Sequence, residues 1–467
     1  MKIRNGVVGF LVVTELASGF LQGWFIPLVE AIGTRWHVDT AQLNWVTAIY
    51  MLMTVVFVPV LGKLGDVYGH QRMLAITAAL VTAGSIVVAV APTFGVFLLG
   101  RALQAPLAAF LPLEFAIVRE RRPEDAGRSI GRLVAALTFG AALGGVISGV
   151  LYGVVGSLAV TLWIPVFFMA LCVPIVAFLV PETTTRNTGR VDWLGAGLLG
   201  LGLLLLLGAL SNGATWGWAD PVVLAGLIGG PVLLGGWVLA ARQVAHPLID
   251  LSVLSGAGIG LPLLMAVLFG AQFYGSTTAT TFYYLADPAV YGYGLGFPAG
   301  LAGVVMLLPT LVMVAASMTG DRIARAITAP RALAVGGLLA ALSYLGMLLA
   351  GGSAALFIGA GVVGAIGNGL VVTVLPAVVV ARADADVVGV SSALYNTSRT
   401  AAGAIAGALF ALVMSLFAMP ATVAGAQVSV STIASFRAVW AIGAIIGGAM
   451  IALAFTLRER TTANVLV

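Results

Sequence analysis

The sequence predicts an all-α integral membrane protein with fourteen transmembrane helices, and three observations carry that prediction. Of the 467 residues, 61% are hydrophobic and only 8% charged, whereas a soluble domain carries about a quarter charged residues. With a mean hydropathy of +1.11, the chain cannot solvate a large globular surface. Apolar runs of the roughly 20 residues that a helix needs to cross a bilayer recur almost without pause. Finally, the basic residues gather on alternate connections, which is the pattern that sets topology.

Taken in order, the first six spans are predicted near residues 7–32, 43–62, 74–93, 95–118, 129–153 and 158–180. The seventh and eighth fall near 193–212 and 221–241. The last six fall near 257–284, 298–319, 331–350, 355–381, 387–416 and 433–456. Sixty glycines fit such a bundle, because small residues let helices approach closely in lipid, where no hydrophobic force draws them together. The N-terminal residues 1–6 are short and basic and lead into a run too long for a signal peptide's apolar core, so the sequence predicts their retention. The longest connections, 181–192 and 417–432, are too short to fold as domains. Trp36, Trp45, Trp193, Trp216 and Trp218 lie near span ends, as interfacial anchors do.

Fourteen spans put both termini on one side, and 18 of the 22 basic residues then share it. Arg35 and Arg437 fall on the other side, while Arg101 and Arg399 lie within spans. The expectation is a multi-pass protein of the cell (inner) membrane with both termini cytoplasmic. The formal charge of +5 is scattered singly at span ends, so it reads as a topology signal and not as a nucleic-acid footprint. A single cysteine, Cys172, excludes an internal disulfide and a four-cysteine zinc site. His37, His70 and His246 are far apart in sequence, and no metal site or cofactor is expected.

The second turn reads Gly62-Lys63-Leu64-Gly65-Asp66-Val67-Tyr68-Gly69-His70-Gln71-Arg72-Met73-Leu74. This resembles the signature G-x-L-x-D-R-x-G-R-[KR]-x-x-L of the major facilitator superfamily, with Val67, His70 and Gln71 departing from its basic positions. In the fourth span, Phe97-Leu98-Leu99-Gly100-Arg101-Ala102-Leu103-Gln104-Ala105 is similar to the family's L-x-x-x-R-x-x-Q-G, with Ala105 in place of glycine. The fifth span's Gly140, Gly144 and Gly149 resemble the antiporter motif G-x-x-x-G-P-x-x-G-G, although Gly145 replaces its proline and Ser148 a glycine. Ordinary helix packing explains those glycines equally well.

Val191-Asp192-Trp193-Leu194-Gly195, Pro247-Leu248-Ile249-Asp250-Leu251 and the thirteenth span's Asn396, Arg399 and Gly403 look like the fourteen-helix drug:proton antiporter family. That resemblance implies the major facilitator fold: two six-helix halves, 1–180 and 254–467, with two inserted helices in the linker 181–253. A weak internal echo, Gly65-Asp66 against Gly320-Asp321, points the same way. The resemblance implies that Gly62, Asp66, Gly69 and Arg72, with Asp321 in the echo, act as a conformational gate.

Two stretches are polar inside apolar spans. Glu15, Ser18 and Gln22 share a face of the first helix; Gln272, Ser276, Thr280 and Tyr283, flanked by Phe273, stripe the ninth. With Trp24 and Gln104 they form the expected substrate-binding set, suited to amphipathic or cationic ligands. Trp24 reads equally well as packed or lipid-facing, and the ninth helix's stripe as interhelical hydrogen bonding. An intramembrane carboxylate is a functional candidate by default, so Glu15 and, behind it, Glu114 are the expected proton carriers, with Arg101 as a charge needing a partner. Snorkelling to the interface is the alternative for Arg101.

The function predicted is export of small amphipathic compounds in exchange for protons, by a monomer in the lipid bilayer. A uniporter or importer of the same superfamily remains open. Only two lysines are present, Lys2 and Lys63, and neither stands in a P-loop, so ATP could act only through another subunit. The acids and histidines form no paired catalytic arrangement, which argues against an intramembrane enzyme.

Overall fold

The computed structural model describes residues 2–38, 45–184, 191–244, 247, 258–384, 387–423 and 426–457; of the sequence features above, His246 and 248–251 lie outside them. The described residues form two compact units, Met1–Ile259 with Val379–Ala401, and Gly260–Val378 with Ala402–Val467.

In the first unit, α1 (Lys2–Trp24) passes through a 3₁₀ turn at Ile26–Leu28 into α2 (Val29–Trp36). α3 (Trp45–Tyr68) and α4 (His70–Val90) meet at Gly69, whose φ of 108° suits a residue without a Cβ. The fourth span is α5 (Phe94–Gln104) and α6 (Phe110–Arg121) joined by a 3₁₀ stretch, Ala105–Ala109, where Pro106 removes a helical hydrogen bond. α7 (Ala126–Val155) is followed by α8 (Leu158–Pro174), which loosens into a π turn at Ile175–Leu179. The two inserted helices are α9 (Trp193–Trp216) and α10 (Pro221–Ala241). Asp192 and Asp220 cap them, accepting from the backbone N–H of Gly195 at 2.7 Å and of Val222 at 2.8 Å.

The glycines of the fifth span act as spacers here. A Cβ on Gly140 or Gly144 would collide with the backbone of Leu16 or Phe20, and one on Gly19 or Gly23 with that of Leu137 or Ala141. α1 and α7 are thus a parallel, backbone-to-backbone pair, held by dispersion contacts that larger residues would prevent.

The second unit holds α11 (Gly260–Phe273), α12 (Thr277–Leu285), the short α13 (Pro288–Tyr291), α14 (Ala299–Ile327), α15 (Ala329–Leu349), α16 (Ala354–Arg382), α17 (Val388–Leu416) and α18 (Ile433–Thr456). α16 and α17 each also contribute to the first unit, through 379–382 and 388–401. The connection after α17 is an antiparallel hairpin, β1 (Ala418–Val423) with β2 (Ala426–Ser431), in register from Ala418↔Ser431 to Val423↔Ala426. The alternation of valine with small polar residues in β2 suits a strand. Tyr283, Phe357, Phe436 and Trp440 form the aromatic core of this unit.

Thirteen helices among the described residues are long and apolar enough to cross a membrane. The ninth predicted span is not among them, because it is broken at 274–276 into pieces of 14 and 9 residues. Gly275, Ser276 and Thr277 are poor helix formers, and serine hydroxyls compete for backbone groups. The Ser276 hydroxyl donates to the Gln272 carbonyl at 2.7 Å, and the Tyr344 hydroxyl donates to the same oxygen at 2.8 Å. Such polar breaks inside a membrane bundle are tolerated where protein groups satisfy the freed backbone.

Candidate functional site

The turn at Gly69 is a capping device at two helix N-termini. Asp66, 1% exposed, accepts from the backbone N–H of Gly389 on Oδ1 and of Val390 on Oδ2, both at 2.8 Å. It therefore satisfies two otherwise orphaned donors at the start of α17 and places a negative charge at the positive end of its dipole. Gly62 makes the approach feasible, since a Cβ there would lie 2.6 Å from the Ala393 Cβ. His70 Nε2 lies 3.0 Å from Asp66 Oδ1, and a carboxylate only accepts, so that nitrogen carries the proton. His70 Nδ1 faces the Thr183 hydroxyl at 3.0 Å.

Glu182 performs the same task for α4, accepting from the backbone N–H of Gln71 at 3.0 Å and of Arg72 at 3.1 Å. A Cβ on Gly69 would sit 2.5 Å from the Glu182 carboxyl carbon. The Arg72 side chain is exposed. Asp321 is not a counterpart of Asp66 in contacts: it lies inside α14 and pairs with Arg325 one turn on, at 2.6 Å.

The first unit also brings Glu15 and Glu114 together. Both are 0% exposed, and the two carboxyls lie close enough to interact electrostatically. The Thr14 hydroxyl donates to Glu114 Oε1 at 2.7 Å. Glu114 Oε2 and both Glu15 oxygens have no hydrogen-bond partner among the described residues, although the Ser18 hydroxyl is near Glu15. Ser18 in turn accepts from Gln22 Nε2 at 3.3 Å. Trp24 is buried against Phe20, with ring centroids 4.7 Å apart.

Arg101 does not snorkel. It is 3% exposed and lies over the Phe25 and Tyr50 rings at 4.0 and 4.9 Å. Its Nε donates to the Val46 carbonyl at 3.0 Å and its Nη1 to Gln104 Oε1 at 2.7 Å. Gln104 then donates to Ser85 at 2.9 Å, so its amide is used in orienting Arg101. Phe25, Tyr50 and Ser85 are apolar or weakly polar partners with no sequence signal of their own.

In the second unit a cavity of about 270 Å³ opens at the break between α11 and α12. Phe273, Ser276 and Thr280 line it, as do Tyr284, Met306, Met313, Ser343, Tyr344, Met347 and Asn368. No charged residue is among the lining. Gln272 and Tyr283 point elsewhere: the Gln272 amide donates to the Gly443 carbonyl at 2.6 Å, and Tyr283 packs on Phe357 and Trp440. The three methionines and Tyr344 were invisible as a group in the sequence, because they come from two separate helices, α14 and α15.

This combination of thirteen apolar helices, buried intramembrane charges and a capped turn after the second span defines a polytopic helical membrane protein. The chain belongs to the Major Facilitator Superfamily, whose profile matches residues 11–407. It is 26% identical over 426 residues to the probable actinorhodin transporter of Streptomyces coelicolor, covering 87% of this chain and 72% of that one. It is 25% identical over 394 residues to the tetracenomycin C resistance and export protein of Streptomyces glaucescens, covering 82% and 71%. The match to the MFS-type transporter YcnB of Bacillus subtilis is 24% identical and spans 60% of each chain. The fold is similar to that of the human organic anion transporter MFSD10, with a TM-score of 0.68 at 17% identity, covering 95% of this chain and 99% of the other.

Proposed function

We propose that the protein exports small amphipathic aromatic molecules in exchange for protons by alternating access. The observation that carries this reading is the Glu15–Glu114 pair, two fully buried carboxyls with three of four oxygens unpartnered among the described residues. An isolated carboxylate is costly in such surroundings, so two buried acids that take up a proton and lose it when water enters are suited to coupling. Arg101, held over the Phe25 and Tyr50 rings, is a further buried charge in the same unit. Each proton entering down a 100 mV potential supplies about 2.3 kcal/mol.

The uncharged, methionine- and tyrosine-lined cavity beside the α11–α12 break suits a neutral aromatic ligand more than the cations that the sequence left open. The names of the two Streptomyces relatives, which refer to actinorhodin and tetracenomycin C, agree with that choice. Asp66 serves as a gate latch: its contacts with α17 favour whichever conformation contains them. In this reading both termini are cytoplasmic and the protein works as a monomer in the inner membrane.

The test is transport by the purified protein in liposomes, using a fluorescent aromatic polyketide, with and without an imposed proton gradient. The proposal expects accumulation against the substrate gradient only when protons can flow the opposite way. Equilibration that ignores the proton gradient would instead identify a uniporter.

A further inference from the structure

The tightly joined pair α1–α7 comes apart at one end. Around 16–23 and 137–144 the two backbones touch, yet a Cβ added at Gly9, two to three turns earlier on α1, would meet nothing within 4 Å. The gap is a cavity of about 470 Å³, with Val8 and Gly9 on one wall and Arg122, Arg128 and Arg132 on the other. Asp125 is the one acid in the lining, so three arginines leave it at a formal +2. Asp125 faces Arg128 at 3.6 Å with both side chains over a third exposed, which makes a weak pair that a competing anion can replace. Arg132 makes no ion pair among the described residues.

The cleft sits beside the turn between α6 and α7, where two apolar helices end. One wall is a set of forked donors matched to phosphate oxygens; the other is apolar and continues along α1 into exposed Val13. A small inorganic anion would use only the first wall, whereas a phospholipid uses both. We propose that this cleft binds the phosphate headgroup of an anionic phospholipid, with the acyl chains running along α1. Basic pockets between transmembrane helices are suited to such headgroups.

The test follows thermal unfolding of the purified full chain in neutral detergent, by tryptophan fluorescence, while phosphatidylglycerol, phosphatidylcholine or inorganic phosphate is titrated. Phosphatidylglycerol alone is expected to raise the unfolding temperature, since a ligand of the native state stabilises it by mass action. Arg128→Gln with Arg132→Gln should weaken its apparent affinity on the order of 25-fold, at roughly fivefold per arginine. Gly9→Leu, which fills the cleft and leaves the arginines intact, should abolish the shift while unfolding near the wild-type temperature without lipid. Equal stabilisation by phosphatidylcholine, or an undiminished phosphatidylglycerol shift in both variants, overturns the proposal. A shift reproduced by inorganic phosphate assigns the cleft to a free anion and likewise overturns the lipid.

Discussion

Replacing Asp66 with asparagine keeps the shape of the side chain and removes its charge. The wild-type carboxylate accepts two backbone N–H groups at 2.8 Å, and an amide can accept only one, turning its own donors towards the other. The loss is one charge-assisted hydrogen bond, worth about 1.5–3 kcal/mol, and an N-terminal helix-dipole interaction of about 0.3–1 kcal/mol. A total near 2–4 kcal/mol corresponds to an opening equilibrium raised by roughly 30- to 900-fold. Hydrogen exchange read at Gly389 and Val390 reports that equilibrium directly, because their amides are the donors. Exchange should accelerate by such a factor in Asp66→Asn, with slower transport turnover and little change in substrate affinity. Unchanged exchange at both amides would refute the capping argument, and unchanged turnover would refute the latch.

Other positions give independent checks. Gly69→Ala must accommodate a Cβ at φ 108° against the Glu182 carboxyl, so its unfolding temperature should fall by an amount equivalent to about 1–3 kcal/mol; an unchanged melt would show that the turn relaxes freely. Gly361 lines the second unit's cavity, and a Cβ there makes only ordinary contacts at 3.8 Å. Gly361→Leu should therefore raise the apparent KM for an aromatic substrate without lowering the unfolding temperature, as measured by liposome uptake and fluorescence melting. Topology is checked in a Cys172→Ala background with single cysteines at Ala219 and Glu124, both exposed. An impermeant thiol reagent should reach Ala219→Cys only from outside and Glu124→Cys only from inside, and labelling of both from one side contradicts the fourteen-span arrangement.

The helices were legible because lipid imposes a length and an apolar composition on every span. The break in the ninth was not, because a transmembrane helix tolerates Gly275 and Ser276, and the polar residues around them read as a stripe on a continuous helix. Asp66 was readable from its place in the turn, but its partners were not: Gly389 and Val390 are more than 300 residues away, and Glu182 looked like any acid after a span. The sequence offered Glu114 as an alternative to Glu15. Glu15 and Glu114 stand about a hundred residues apart on α1 and α6, so their placement in one unit depends on tertiary packing that residue spacing does not encode. Gln104 lay in a recognisable pattern, whereas its use in holding Arg101 depends on a partner on another helix, Ser85.

The central claim, that the buried acid pair couples substrate to protons, is tested most directly by substrate-induced proton flux in proteoliposomes containing wild type, Glu15→Gln or Glu114→Gln. Glutamine keeps the size of each side chain and removes the titrating group. The account predicts that proton flux is abolished in Glu15→Gln and strongly reduced in Glu114→Gln, while downhill substrate exchange persists in both. Proton flux at the wild-type rate in both variants would contradict it.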